Sequence, residues 1–185
     1  FASMVSDDDA DDTKFNEWLN SERIEECKKD APFTYTEDYE NYLKEVENLP
    51  SEVISRIDDA TRRIISKCGD PKLNSTWERR GMVVGNVQAG KTANYLGLIA
   101  KAADAGYKVI IIVAGILEDL RKQTQIRLEE GFVGVNDVNG DKVGVGIVAE
   151  RDAKYKPICV TDRDHDLSKY KINSDLINIT QTAPY

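Results

Sequence analysis

The chain has 185 residues, 41% hydrophobic and 31% charged, with a net charge of −8. That is enough for one compact domain with an appendage, and no apolar stretch reaches the ~20 residues that span a bilayer. The three cysteines, Cys27, Cys68 and Cys159, are odd in number and far apart, which excludes a disulfide framework and a metal-type spacing; with no signal-peptide pattern at the start, the reading is a cytoplasmic protein without a membrane partner.

Charge is unevenly spread. Residues 1–70 carry 19 acidic and 9 basic side chains, and residues 71–185 carry 14 and 16. The acidic part is a poor surface for nucleic acid, so any such contact falls to the near-neutral second part.

In chain order, residues 1–12 read as a disordered acidic leader. Phe1-Ala2-Ser3 precede Met4, and Ser6 to Asp12 holds five aspartates and no large apolar residue. Residues 13–70 read as an N-terminal helical bundle. Thr13 is the predicted cap of a first helix with Phe15, Trp18 and Leu19 on its apolar stripe. Thr36 is the predicted cap of a second, where Tyr39, Tyr42, Leu43 and Val46 fall at i, i+3, i+4, i+7. Pro50 or Ser51 opens a third, with Val53, Ile54, Ile57, Ala60, Ile64 and Ile65 on a wide apolar face and Gly69 and Pro71 as its stop.

Residues 71–185 read as a P-loop nucleoside triphosphatase lobe of RecA-like α/β type. Arg79–Val84 is the predicted first strand, and a helix follows over Thr92–Ala105 with Leu96, Ile99, Ala100 and Ala103 inward and Gly106 as terminator. Val109-Ile110-Ile111-Ile112-Val113 is an unbroken β-branched run, the composition of a parallel strand covered on both faces. A helix over Leu117–Glu130 follows, with Leu117, Leu120, Thr124 and Leu128 on one face and Gly131 at its end. Strand, helix, strand, helix predicts a parallel sheet with right-handed crossovers. Asn139-Gly140 is a hairpin-turn signal, Val143, Val145 and Ile147 alternate with small residues as a strand does, and Leu176–Thr180 is a candidate last strand.

Between the first strand and its helix stands the most informative stretch, Gly85-Asn86-Val87-Gln88-Ala89-Gly90-Lys91-Thr92. This is G-x-x-x-x-G-K-[ST], the phosphate-binding loop. A triphosphate needs short-range donors and a cation. Gly85 and Gly90 let the main chain curl close to the phosphates, and the amides of Val87 through Thr92 converge on them as an anion nest. The positive end of the following helix adds to the field. Lys91 is expected to reach the β and γ phosphates and Thr92 to hold Mg²⁺ through its hydroxyl. The expected ligands are ATP and Mg²⁺. Trp77, just before the strand, is a candidate to stack on adenine.

Hydrolysis also needs an acid at a strand end to hold the metal and position water. Two apolar runs end in one: Val145–Glu150 and Ile158–Asp162, the latter continuing Arg163-Asp164-His165. The second is superficially like the D-E-x-H box of helicases, but Arg163 stands where Glu belongs and Pro157 precedes the run. His165 is the only histidine and carries no metal site by itself.

The stretch Val83–Tyr95, with Leu98–Tyr107 and then Ala114-Gly115, Leu120-Arg121, Gln123-Thr124-Gln125 and Arg127-Leu128, resembles the start of the bacterial Z1-domain proteins. The resemblance covers roughly residues 79–132. It implies a helicase-like ATPase of superfamily 2, with an endonuclease role ascribed to the family, found beside restriction and phage-defence genes. It implies ATP binding by residues 85–92, DNA and defence proteins as partners of the full-length protein, and a motif-Ia-like role on DNA for Arg121, Lys122 and Arg127. The family's acidic metal motif and its nuclease motif fall on no residue of this chain, so the resemblance implies part of a longer protein, weakly active alone. Two other classes stay open: a P-loop phosphotransferase, although no arginine-rich lid is apparent, and a non-catalytic interaction module with the acidic helices as its docking surface.

Overall fold

The computed structural model describes residues 2–3, 18–30, 34–73, 79–85, 90–152 and 155–164. The elements are β1 (Ala2–Ser3), α1 (Ser21–Asp30), α2 (Tyr35–Glu45), α3 (Ser51–Lys67), β2 (Val84–Gly85), α4 (Lys91–Asp104), α5 (Glu118–Leu128), a π-helical turn over Glu129–Val133, and α6 (Val145–Val148). They form two compact units, one of Phe1–Thr36 with Leu49–Gly106, the other of Glu37–Asn48 with Tyr107–Tyr185.

In the first unit, α1 starts later than its apolar pattern predicts. Asn20 is the cap: its Oδ1 accepts the Arg23 N–H at 2.9 Å and its carbonyl accepts the Ile24 N–H at 3.0 Å. Thr13, the expected cap, lies outside the described residues. Trp18 precedes the helix and donates its indole N–H to the Cys68 carbonyl at 2.8 Å, while Arg23 reaches Asp70 at 2.9 Å. The start of α1 is thereby tied to the end of α3.

Helix α3 follows its predicted stripe, with Ile54, Thr61, Ile65 and Ser66 buried. Its packing partner is α4, which buries Asn94, Leu96, Gly97, Ile99 and Ala100. Thr61 and Ala100 are fully enclosed. The Thr61 hydroxyl folds back onto the carbonyls of Ile57 and Asp58 at 2.8 and 3.0 Å, so this polar side chain is satisfied on its own helix. Lys101 of α4 is hydrogen-bonded to Asp58 of α3. At the far end of α4, Asp104 accepts the main-chain N–H groups of Tyr35 and Thr36 and the Thr36 hydroxyl. Thr36 was the expected cap of α2; the helix instead begins at Tyr35, and the acceptor for its first N–H groups comes from Asp104. Gly106, at φ 100°, terminates α4 as expected.

In the second unit, the expected stripe of α2 buries Tyr39, Tyr42 and Leu43. Arg151 pairs with Asp38 at 2.7 Å and donates to the Phe132 carbonyl at 2.7 Å. Helix α5 runs on into the π-helical turn and stops at Gly134, φ 85°, three residues beyond the predicted Gly131. Its enclosed side is polar. Gln125 and Glu129 are buried, whereas Leu117 and Leu120, expected inward, are exposed. The Asn139-Gly140 turn is present: Val135 bridges Lys142 antiparallel, and Gly140 sits at φ 74°. The residues after it do not form the expected strand. Val145–Val148 is a helical turn, and Gly144 and Gly146 allow close main-chain approach, since a Cβ at Gly144 would fall 1.9 Å from the Glu130 carbonyl oxygen and one at Gly146 1.8 Å from that of Gly134.

The expected RecA-like lobe with a parallel sheet is not formed among the described residues. Among the described residues the only strand pairing is antiparallel: the two-residue ladder Ala2↔Gly85, Ser3↔Val84, and the isolated Val135–Lys142 bridge. Val109–Val113 lies in no ladder among the described residues, and Ile111 and Val113 are 78% and 91% exposed. A parallel strand needs hydrogen-bonded neighbours and cover on both faces, and the run has neither. Helix α3 packs on α4, in which the small residues Gly97 and Ala100 are buried.

Candidate phosphate-binding site

The loop–helix junction lies wholly in the first unit. Gly85 is the last residue of β2, with its main chain paired to Ala2. Asn86, Val87, Gln88 and Ala89 lie outside the described residues, as do Trp77, His165 and Leu176–Thr180. Gly90 caps α4 in the left-handed conformation, φ 71° and ψ 24°. A Cβ there would meet open space, so the need for glycine is one of main-chain conformation and not of room.

Lys91 and Thr92 follow as the first two helical residues, Lys91 exposed and Thr92 half-buried. The first turn of α4 contains no acidic side chain. Asn94 closes that turn by donating its N–H to the Gly90 carbonyl at 3.1 Å. Over 14 residues the aligned peptides place roughly half a positive charge at this end. A lysine and a hydroxyl at a helix N-terminus whose own first turn carries no acidic side chain are residue types that suit a polyphosphate with its metal ion.

One residue of this junction was not singled out by the motif. Asn94 is only 9% exposed, and its Oδ1 is enclosed with no hydrogen-bond partner. Nothing in the local sequence marks it, because an asparagine at the fourth helical position is ordinary in composition.

Electrostatics along the rest of α3 and α4 are settled by pairing. Loss of hydration works to raise the Asp58 carboxyl, but the hydrogen bond and charge of Lys101, with Arg62 at 2.7 Å, hold it below the ordinary aspartate range. Asp104 is shifted the other way: loss of hydration raises it, only partly offset by the donors from Thr36 and Tyr35. Burial also raises the Cys68 thiol, whose Sγ lies 3.4 Å from the Ile64 carbonyl oxygen.

The other candidates lie in the second unit. Glu150 is exposed. Asp162 is half-buried; its carbonyl accepts from Arg121 at 2.8 Å and its carboxylate from the Asp164 N–H at 2.9 Å. The Arg121 guanidinium, expected to face DNA, is turned onto its own chain: it donates to the carbonyls of Asp162 and Arg163 and to Glu118. Lys122 lies 3.3 Å from Asp164. Arg163, which departs from the helicase-box pattern, has a structural task. It donates to buried Glu129 at 2.5 Å, with its Nε 3.0 Å from Asp137 in a charge contact that lacks hydrogen-bond geometry. Gln125 joins the cluster through the Thr161 hydroxyl at 2.9 Å.

Among the described residues no group of three or more histidine, cysteine, aspartate or glutamate side chains is placed to hold a metal ion, and no helix is long and apolar enough to cross a membrane. Comparison of the chain with protein-family models, with curated proteins and with solved structures gives no match.

Proposed function

We propose that residues 85–92 bind the polyphosphate of a nucleoside triphosphate, ATP with Mg²⁺, and that the chain is the nucleotide-binding part of a DNA-acting ATPase of a restriction or phage-defence system. One observation carries the reading: Gly90 turns in the left-handed conformation straight into α4, whose first residues are Lys91 and Thr92 and whose first turn holds no acid. Sequence motif and helix N-terminus coincide at the residues that a phosphate site requires. The likeness of residues 79–132 to the Z1-domain proteins supports the DNA-linked part. The proposal rests on the loop and helix and requires no parallel sheet.

The experiment is a calorimetric titration of the chain with ATP and Mg²⁺, beside Lys91→Ala. Binding by the wild type and its loss in the variant support the site; equal affinity in both places the nucleotide elsewhere. Hydrolysis that rises on adding DNA to the full-length protein supports the motor reading, and DNA-independent phosphate transfer to a small acceptor contradicts it.

A further inference from the structure

The second unit carries its most apolar segment in water. Between Lys108 and Glu118 the chain reads Val-Ile-Ile-Ile-Val-Ala-Gly-Ile-Leu, with no charge and no proline. Exposure along the β-branched run alternates. Val109, Ile111 and Val113 are 45%, 78% and 91% exposed, whereas Ile110 and Ala114 are half-buried and Ile112 is 39% exposed. A period of two is that of a strand presenting one face. No ladder among the described residues uses the run, and natural proteins commonly interrupt such an edge with charge or proline. Beyond it Ile116 is fully exposed and Leu117 largely so. Seven large aliphatic side chains are exposed over residues 109–120, a patch on the order of 500 Å². Monomers seldom leave a larger one open, and two such patches together approach the ~1,000 Å² of a specific interface.

The charges at its two ends say what covers it. Lys108 stands at one end and Glu118 and Asp119 at the other, all exposed. An in-register parallel copy would set like charge on like charge. An antiparallel copy sets the basic end of each segment against the acidic end of the other. In the antiparallel register centred on Val113, Lys108 of each copy comes level with Glu118 of the other, and every pair between them is apolar. Glu118 keeps 57% of its side chain in water beside Arg121.

We propose that residues 108–118 form a self-association surface whose partner is a second copy of this chain, docked antiparallel through Val109–Val113. The inference stands apart from the nucleotide site. Main-chain pairing along the run supplies hydrogen bonds, the aliphatic side chains supply buried area, and the end charges set the direction.

The test is sedimentation velocity of the whole 185-residue chain from low micromolar to submillimolar concentration, with thermal midpoints recorded beside it. The wild type should show a monomer–dimer equilibrium that stops at the dimer. Ile111→Lys and Val113→Lys each place two like charges in the interface and should weaken it at least tenfold. Both side chains are in water, so the midpoint of dilute protein should hold; Ile111→Thr, β-branched and uncharged, repeats the test should lysine lower it. Lys108→Glu should weaken the dimer about fivefold, and adding Glu118→Lys should restore it. A chain that stays monomeric throughout, or a dimer indifferent to the substitutions at Ile111 and Val113, overturns the proposal. So does association that continues past the dimer, which is open-ended edge pairing. Failure of the double charge reversal to recover the loss overturns the antiparallel copy.

Discussion

The Asp104 carboxylate accepts the Thr36 hydroxyl at 2.6 Å and the Thr36 main-chain N–H at 2.9 Å, across 68 positions of sequence. With the Tyr35 N–H at 2.8 Å, the last residue of α4 supplies the cap of α2. Asp104→Ala should strip two main-chain donors of their acceptor and cost about 2 kcal/mol. Urea unfolding of the variant measures this. A change below about 0.5 kcal/mol would mean that water replaces the carboxylate without loss.

Asp58 and Asp104 titrate in opposite senses. Asp58 is held below the ordinary aspartate range against the pull of its burial. Its contribution to stability is therefore present above the unfolded-state pKa and lost as pH falls through the lower folded value. Asp104 is raised by loss of hydration, so its contribution is greatest below the unfolded-state pKa and declines as pH rises through the higher folded value. Stability measured against pH for Asp58→Asn and Asp104→Asn, each relative to the wild type, should diverge with opposite slopes on the acid side of neutrality. At neutral pH, Lys101→Met should cost about 3 kcal/mol, because it leaves Asp58 largely enclosed without its closest cation; Arg62, half exposed, replaces little of it.

Glycine substitutions separate main-chain crowding from main-chain conformation. Gly146→Ala puts a Cβ within 1.8 Å of the Gly134 carbonyl oxygen, an overlap relieved only by moving the main chain, and should cost more than about 3 kcal/mol. Gly140→Ala meets nothing within 4 Å and strains only its φ of 74°, so about 1 kcal/mol is expected. Equal denaturation midpoints for the two variants would contradict the close crossing of α6 and the π-helical turn.

Arg121→Ala should act on stability. Its guanidinium holds the carbonyls of Asp162 and Arg163 at 2.8 and 2.6 Å, and losing both hydrogen bonds should lower the unfolding free energy by about 2 kcal/mol. A variant with wild-type stability and weakened DNA affinity would restore the DNA-facing role that the resemblance implies for Arg121.

What was legible in the sequence followed the 3.6-residue period. Tyr39, Tyr42 and Leu43, Ile54 and Ile65, and Leu96, Ile99 and Ala100 are buried as their spacing requires. Helix α5 was placed within a residue at its start and misjudged in its facing, because its enclosed side is Gln125 and Glu129, satisfied by Thr161 and Arg163 from 34 to 36 positions away. Such pairing leaves no hydrophobic pattern. The alternation of Val143, Val145 and Ile147 with glycines imitated a strand, although Gly144 and Gly146 are small because another stretch of main chain lies against them. Val109–Val113 has the composition of a covered strand, and composition cannot supply the neighbouring strands. The start of α4 after Gly90 was legible from the glycine-lysine-threonine sequence, whereas the role of Asp104 depends on tertiary placement that no local spacing records.

Amide hydrogen exchange of the chain with and without ATP and Mg²⁺ tests the nucleotide site most directly. Protection should appear at Gly85–Tyr95, strongest at the amides of Gly90, Lys91 and Thr92, and should vanish in Lys91→Ala. Protection confined to the second unit, or none at saturating ligand, would contradict the reading of Gly85–Thr92 as a polyphosphate cradle.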